Sequence, residues 1–386
     1  MEVVRVNSAL LNWAILRSGR SQAEIKHYFP KIEQWLKENT GPTFKQLEKF
    51  ANLTYTPLGF FFLKEPPIEE LPIPFYRTTD GQPFLREPSA NLIETMQTMQ
   101  SRQNWMREYL VEQGESPLNI VKSVNINDSE VEIAKEIKNR LKLGSDWASK
   151  HNTWTEALRY LRDAIDAMGI LVVFNGIVGN NTHRKLDPQE FRGFVLVDEY
   201  APLLFVNGAD GKAAQMFTLA HELAHVFLGY SAAFDLRNSM PSENVTEKLC
   251  DKVAAEFLVP ATEFCKQWEN VNNYTNKFQH LAKIFKVSEI VIARRALDLK
   301  FINRSEFFEF YENYLSQEHK AKTNQTGGGD FYANQKYRIG KKFAESVIVA
   351  TLEGSLLYSE AYRLTGLRGK TFDDFVSSTG YGGYRG

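Results

Sequence analysis

Residues 217–229, FTLAHELAHVFLG, place two histidines and a glutamate inside an otherwise apolar stretch. Because helical residues four apart lie one turn apart on the same face, His221 and His225 can direct both imidazoles at one ion. Glu222 lies about 100° around the helix from His221, so it can reach a water on that ion as a general base. A chance match on a buried helix is the alternative. Burying three polar groups without partners is unfavourable, however, and the pattern therefore predicts a metal site.

Two histidines do not complete a catalytic zinc site, which takes three protein ligands and a water. The next histidine is His280, so we expect the third ligand to be a carboxylate on a later helix. Glu247 and Asp251 lie four apart in EKLCDKVAAEFLVP, on one helix face. We expect Glu247 to coordinate the ion and Asp251 to accept a hydrogen bond from the free ring nitrogen of a ligand histidine. An ordinary solvated helix face is the alternative for this pair.

Apolar periodicity predicts a mostly helical α+β chain that contains a small β-sheet. Three apolar runs bounded by turn residues predict strands, namely GILVVFNG, RGFVLVDE and PLLFVNG. Asp210 is expected to cap the helix that carries the two histidines, and Gly229 is expected to end it. Pro260 is expected to end the following helix.

The composition excludes several classes of protein. Two cysteines, Cys250 and Cys265, are too few for a disulfide scaffold, which indicates reduced thiols and a cytoplasmic chain. The net charge of −1 indicates no general attraction to nucleic acid or anionic membranes. No stretch approaches the roughly 20 apolar residues of a membrane span, so we expect no membrane partner.

The two motifs together resemble the ImmA/IrrE family of gluzincin-like zinc metallo-endopeptidases, over roughly residues 150–300. The family pattern is HExxH, followed by a Glu that stands thirteen residues before a Pro closing an apolar run, and Glu247 and Pro260 match that offset. The resemblance implies a zincin-like core, Glu222 as general base, and three Zn²⁺ ligands: His221, His225 and Glu247. The family often has Asn or another small polar residue where Asp251 stands, so the orienting role of Asp251 is inferred from geometry.

Four regions are expected along the chain. Residues 1–65 resemble the cut-down XRE-like helix-turn-helix unit of long family members. Residues 66–150 are expected to be a Pro-rich linker and a helical connector. Residues 151–320 are expected to form the zincin-like metallopeptidase domain. A C-terminal helical unit is expected over residues 330–376, after a glycine-rich hinge at 323–330.

The N-terminal unit departs from the usual helix-turn-helix. The turn before its third helix is short and has Pro30 but no Gly. A recognition helix needs its N-terminal side chains aimed at base edges. Four side chains are candidates for that role: Lys31, Glu33, Gln34 and Lys37. Two interpretations stay open, namely DNA binding and a helical module that docks on the peptidase or on a protein partner.

The sequence predicts a zinc-dependent endopeptidase of narrow specificity that acts on a regulatory protein, either a repressor or a toxin–antitoxin partner. The alternative is a non-proteolytic DNA-binding regulator or antitoxin-like binding protein that keeps the zincin fold. The strand at Leu203–Asn207 is expected to pair with an extended substrate backbone. Tyr230 and His183 are candidates for stabilising the oxyanion. Similar ligand sets hold manganese or iron, although two imidazoles and a carboxylate suit zinc best.

Overall fold

A computed structural model of the chain describes residues 3–69, 75–76, 88–234, 245–271, 276–321 and 331–381. Two compact units are present. One comprises Met1–Pro72 with Thr79–Gln97, and the other comprises Ile73–Thr78 with Thr98–Gly386. The predicted hinge at 323–330 lies outside the described residues. The finer division into four regions stays a prediction.

The described residues form seventeen α-helices, and the chain is mostly helical with a small sheet, which confirms the predicted α+β class. The helices are α1 (Ser8–Ser18), α2 (Gln22–Tyr28), α3 (Ile32–Leu36), α4 (Phe44–Leu53), α5 (Ala90–Glu112), α6 (Glu130–Arg140), α7 (Trp154–Ala167), α8 (Lys212–Leu228), α9 (Val245–Leu258), α10 (Ala261–Val271), α11 (Lys277–Phe285), α12 (Glu289–Asp298), α13 (Arg304–Ala321), α14 (Phe331–Ile339), α15 (Lys341–Leu352), α16 (Tyr358–Thr365) and α17 (Lys370–Val376). No helix in the described ranges combines the length and apolar character that crossing a membrane requires.

Helices α1 to α4 pack around an aromatic core in the first unit. Ser21 and Thr43 begin α2 and α4 with capping boxes, because each side chain accepts a hydrogen bond from the backbone three residues on. Phe50 lies at the centre of the core, with ring centroids 5.5 Å from Phe29 and 5.6 Å from Phe61. Burial of these rings accounts for the stability of a unit built from helices too short to be stable alone.

Helix α3, which corresponds to the predicted recognition helix, has only five residues. One of the side chains predicted to face bases, Glu33, pairs with Lys26 at 2.6 Å. The other three are exposed: Lys31, Gln34 and Lys37. Such a helix spans about one and a half turns. It therefore presents fewer side chains to a major groove than the recognition helix of a usual helix-turn-helix does. DNA binding by this unit stays a prediction.

The sheet of the second unit has five strands in the order β1-β7-β5-β6-β2, beside a two-stranded hairpin of β3 and β4. The strands are β1 (Phe75–Tyr76), β2 (Leu171–Asn175), β3 (Ile177–Val178), β4 (Asn181–Lys185), β5 (Gly193–Leu196), β6 (Leu203–Asn207) and β7 (Ala232–Phe234). Strand β6 pairs parallel with β2 and antiparallel with β5, and β7 pairs antiparallel with β5. The three predicted strands, β2, β5 and β6, are confirmed.

The expectation that Leu203–Asn207 pairs with a substrate is wrong. This strand is β6, and every one of its residues is paired with β2 while its other edge is paired with β5. Because a strand has only two hydrogen-bonding edges, an extended peptide has no free ladder to join there.

Helix α8 lies between the sheet and α9. It packs on β5 and β6 on one side and on α9 on the other. Its apolar side chains join the core that the sheet and the surrounding helices share, and nearly all of α8 from Gln215 to Leu228 is buried. The polar side chains of the HELAH stretch are therefore enclosed by protein on both sides.

Helices α14 and α15 pack against strand β2. Arg102 of α5 forms hydrogen bonds with this C-terminal region. The buried Arg102 guanidinium donates to the backbone oxygens of Leu364 and Arg338, at 2.9 and 3.0 Å. Burial lowers the pKa of Arg102 to about 10, so the side chain stays charged at neutral pH. It thus binds carbonyl groups near the ends of α14 and α16.

We expect Arg102→Ala to lower the free energy of unfolding by about 3 kcal/mol, because two charge-assisted hydrogen bonds are lost and two carbonyls lose their donor. Denaturant unfolding followed by circular dichroism measures the change. Arg107→Ala is the matched control, since Arg107 is more than half exposed and pairs with Asp198 at 3.3 Å. The control is expected to change stability by less than about 1 kcal/mol. Equal effects of the two substitutions would contradict a specific role for Arg102.

Candidate metal centre

The helix that carries both histidines begins one residue later than expected. Its N-cap is Gly211, in an extended conformation and without a side-chain cap, so the prediction that Asp210 caps it is wrong. The Asp210 carboxylate instead accepts from the Gly211 backbone N–H at 2.8 Å and lies 3.6 Å from the Arg192 guanidinium. Gly229 ends the helix in the left-handed conformation, at φ 82°, as expected from its place after the apolar run.

His221, His225 and Glu247 converge on one point between α8 and α9. The Nε2 atoms of His221 and His225 lie 3.2 Å apart. Each also faces the Glu247 carboxylate, at 3.1 Å for His221 and 3.3 Å for His225. One ligand atom from each residue lies within 4.8 Å of the other two. Two imidazole nitrogens and a carboxylate oxygen aimed at a common point form a donor set suited to a divalent cation.

Asp251 lies beside His221, on the opposite side of the ring from Glu247 and one turn along α9 from it. Its Oδ1 lies 3.0 Å from His221 Nδ1, so the ring can donate its Nδ1 proton to the carboxylate. In the neutral ring, the form that can bind a metal, that hydrogen bond selects the tautomer whose Nε2 lone pair points toward Glu247 and His225. The Asp251 side chain is 32% exposed, whereas the Glu247 side chain is 4% exposed, which agrees with a supporting and a ligating position respectively.

Glu222 lies beside the ligand set with no hydrogen-bond partner in the described part of the chain. The residue is fully buried, and neither carboxylate oxygen has a donor. A buried carboxylate in this condition is costly, and burial raises its pKa well above the ordinary value. A cation with a bound water would supply both a positive charge and a donor. The residues present therefore fit a metal ion of the type that the sequence predicts.

The pKa shifts show how the ligand set behaves toward protons. Burial alone would lower the pKa of His221, but hydrogen bonds to Asp251 and Glu247 raise it to about 10. Burial opposes the charge of Glu247 as well, yet its contacts with the two histidines lower its pKa. Burial lowers the pKa of His225. In the metal-free protein both ring nitrogens of His221 thus carry a proton, and a cation would replace the one on Nε2, which faces Glu247 at 3.1 Å.

Metal affinity is expected to weaken as the pH is lowered. Because the pKa of His221 lies near 10, the ring carries a proton across pH 6 to 8, and a cation must displace it. Because one proton must be displaced, the apparent affinity weakens by about tenfold for each unit by which the pH is lowered. Competition with a zinc chelator of known affinity at pH 6, 7 and 8 measures the slope. An affinity that does not vary with pH would contradict proton displacement at this site.

Asp251→Asn is expected to weaken metal binding by about 10- to 100-fold, because the ring loses a charged acceptor while the ligands stay in place. Chelator competition at constant pH measures the loss. Asp298→Asn is a suitable control. Asp298 is an exposed carboxylate on α12, a helix that carries none of the site residues, and it pairs with Arg294 of the same helix at 3.1 Å. Unchanged affinity in Asp251→Asn would remove Asp251 from the site.

The two oxyanion candidates lie at the surface. Tyr230 follows the end of α8 and is 48% exposed, and His183 is exposed on β4. Among the described contacts neither touches the ligand set, and their proposed role stays a prediction.

Sequence reasoning missed the close approach of Gly193 to Thr218 and Glu222. A Cβ on Gly193 would lie 3.0 Å from Glu222 Oε1 and 2.5 Å from Thr218 Cγ2. The only sequence signal was the glycine at the start of the predicted strand RGFVLVDE, since a strand glycine often marks a close approach of another element. Nothing in the sequence indicated which element approaches it.

Comparison with known families gives two matches. Residues 165–297 match a peptidase family model described as the IrrE N-terminal-like domain, and residues 339–378 match a domain of unknown function (DUF8813). No curated protein is significantly similar to the chain. The first match spans about a third of the chain and includes all five site residues: His221, Glu222, His225, Glu247 and Asp251. That stretch is therefore similar to the IrrE N-terminal-like peptidase domain, which supports the resemblance to the ImmA/IrrE family.

Proposed function

We propose that the protein is a zinc-dependent endopeptidase. The observation that carries the proposal is the convergence of His221, His225 and Glu247 within 4.8 Å, with the buried carboxylate of Glu222 beside them. The match to a peptidase family model over the stretch that holds these residues supports it. Zinc is the proposed metal because two imidazoles and one carboxylate are a ligand set of catalytic zinc sites, which leave a further position for water.

The chain's own residues divide the work of hydrolysis. His221, His225 and Glu247 would hold the metal, which when bound polarises a carbonyl and acidifies water. Glu222 accepts the proton of the attacking water and later donates it to the leaving amine. Burial raises the pKa of Glu222 above the ordinary value, which makes it a stronger proton acceptor than an exposed glutamate. Asp251 keeps the His221 ring oriented.

The proposed substrate is a regulatory protein, either a repressor or a toxin–antitoxin partner, cut at few sites. The resemblance to the ImmA/IrrE family supports this class of substrate. A cytoplasmic location is consistent with two free cysteines.

Labelling of new protein N-termini in an extract of the source cells tests the proposal. Wild-type protein loaded with zinc should create a small number of new N-termini that the metal-loaded Glu222→Gln variant does not create. Identification of those termini names the substrate and the bond that is cut. If the wild type and the variant give the same set of termini, the protein is not an endopeptidase acting through Glu222.

DNA binding through the N-terminal unit is kept as a second proposal. Exposed basic side chains on this unit support it, namely Arg5, Lys31, Lys37, Lys45 and Lys49. Retention of the full-length protein on its own promoter DNA, measured at rising salt, tests it. A Lys31→Ala/Lys37→Ala variant is expected to elute at lower salt if the unit contacts phosphates. Equal elution would favour the alternative interpretation, in which the unit docks on protein.

A further inference from the structure

Gly193, the first residue of β5, lies directly against the metal-site helix. A Cβ at this position would lie 2.5 Å from Thr218 Cγ2, 2.8 Å from the backbone oxygen of Phe205 and 3.0 Å from Glu222 Oε1. Protein interiors are close-packed and tolerate little added volume. No side chain larger than hydrogen therefore fits here unless the strand, the helix or the Glu222 carboxylate moves.

Helix α8 presents its functional residues to two different neighbours. His221 and His225 face α9, where they contact Glu247. Thr218 and Glu222 are one turn apart on α8, on the side adjacent to that of the histidines, and both lie near Gly193 of β5. Gly193 therefore lies close to the proposed base, whereas Glu247 of α9 contacts both histidines, so a change at β5 acts first on the side of α8 that carries the base.

Packing, and not hydrogen bonding, holds the Glu222 carboxylate in the described part of the chain. Both of its oxygens lack a hydrogen-bond partner there, and so does the buried hydroxyl of Thr218 one turn earlier. The contacts that limit the movement of the carboxylate toward the sheet are those with β5 at Gly193. The absence of a side chain at this position thus determines how close to the strand the carboxylate lies.

We propose that Gly193 and Thr218 are positioning residues that set the location of the Glu222 carboxylate through close packing. The proposal rests on the function proposed above, since it concerns the base of that site. Neither residue is placed in contact with a reacting atom, and both act through Glu222. A displacement of about 1 Å in a reacting group lowers rates by about 100-fold, so small shifts of this carboxylate have large effects.

Binding of acetohydroxamic acid to the zinc-loaded protein reports the position of the base without any knowledge of the substrate. With zinc held as proposed, the hydroxamate oxygens would bind the cation, and Glu222 would accept the hydroxyl proton that the acid gives up. Glu222→Gln removes the proton acceptor, and its loss of acetohydroxamate affinity is the reference with which the other variants are compared. Calorimetry measures this affinity, and chelator competition measures zinc affinity separately.

Gly193→Ala is expected to weaken acetohydroxamate binding by at least about tenfold, because its added methyl displaces the carboxylate, while zinc affinity stays that of the wild type. Gly211→Ala is the matched control, because this glycine caps α8 at φ −66° and a Cβ there meets no atom within 4 Å. The control should bind acetohydroxamate as the wild type does. The proposal is overturned if Gly193→Ala binds it as the wild type does, or if zinc affinity falls in parallel.

Substitutions of Thr218 decide the matter even if Gly193→Ala fails to fold. Thr218→Val keeps the shape of the side chain and removes the hydroxyl, whereas Thr218→Ala opens space beside the carboxylate. If packing sets the position, acetohydroxamate binding weakens more in Thr218→Ala than in Thr218→Val. The reverse order would show that the hydroxyl acts through a hydrogen bond and would contradict the proposal.

The inference and the proposed function can fail separately. A zinc-loaded wild type that binds acetohydroxamate, with the expected order among variants, but cuts no protein contradicts the endopeptidase alone. A wild type that cuts protein through Glu222, with a Gly193→Ala variant that binds acetohydroxamate normally, contradicts the positioning role alone.

Discussion

Glu222→Gln should abolish peptide hydrolysis while leaving zinc bound. A general base contributes about 10²- to 10⁴-fold to the rate, and the substituted amide has nearly the same shape but cannot accept the proton. Glu222 contributes none of the ligand atoms that converge between α8 and α9, so the metal content should stay at one zinc per chain. The rate of substrate cleavage and the zinc content, measured on the same preparation, give both quantities.

Glu269→Gln makes the same chemical change at an exposed position on α10 and should cleave at the wild-type rate. Cleavage by Glu222→Gln at more than about a tenth of the wild-type rate would contradict general-base catalysis, whatever the metal content. Loss of zinc from Glu222→Gln would instead place this residue among the ligands.

His225→Ala should lose both the metal and the stability that the metal confers. The substitution removes one of the three proposed ligands, and two ligands alone do not complete such a site. A ligand present at about 1,000 times its Kd stabilises the folded state by about 4 kcal/mol. Added zinc is therefore expected to raise the Tm of the wild type by several degrees and to leave the Tm of His225→Ala unchanged.

His27→Ala serves as the control, since His27 is exposed and lies in the N-terminal unit. It should keep one zinc per chain and the full rise in Tm. A His225→Ala variant that binds zinc with wild-type affinity would show that the ion is held elsewhere.

The arrangement within each helix of the site could be predicted, because the spacing of two residues along a helix determines whether their side chains point the same way. His221 and His225 are one turn apart, and so are Glu247 and Asp251, so each pair shares a face without any knowledge of the fold. The structure brings the two pairs together through the packing of α8 on α9. Their roles in metal binding and catalysis stay predictions until they are measured.

The parts that failed depend on contacts between distant segments. Sheet order is such a property, and the placement of β6 between β2 and β5 excludes the substrate role expected for Leu203–Asn207. Strands β1, β3 and β7 have only two or three residues, too few for alternation to show. The proximity of Gly193 to Glu222 was missed for a related reason, because a strand glycine indicates that another element lies close but does not show which one.

Anomalous diffraction at the zinc absorption edge, from crystals grown with zinc, tests the central claim most directly. The account predicts one strong peak per chain between α8 and α9, about 2.0–2.2 Å from Nε2 of His221, Nε2 of His225 and a carboxylate oxygen of Glu247. A chain with no peak there, or with its zinc bound by other residues, would contradict the account.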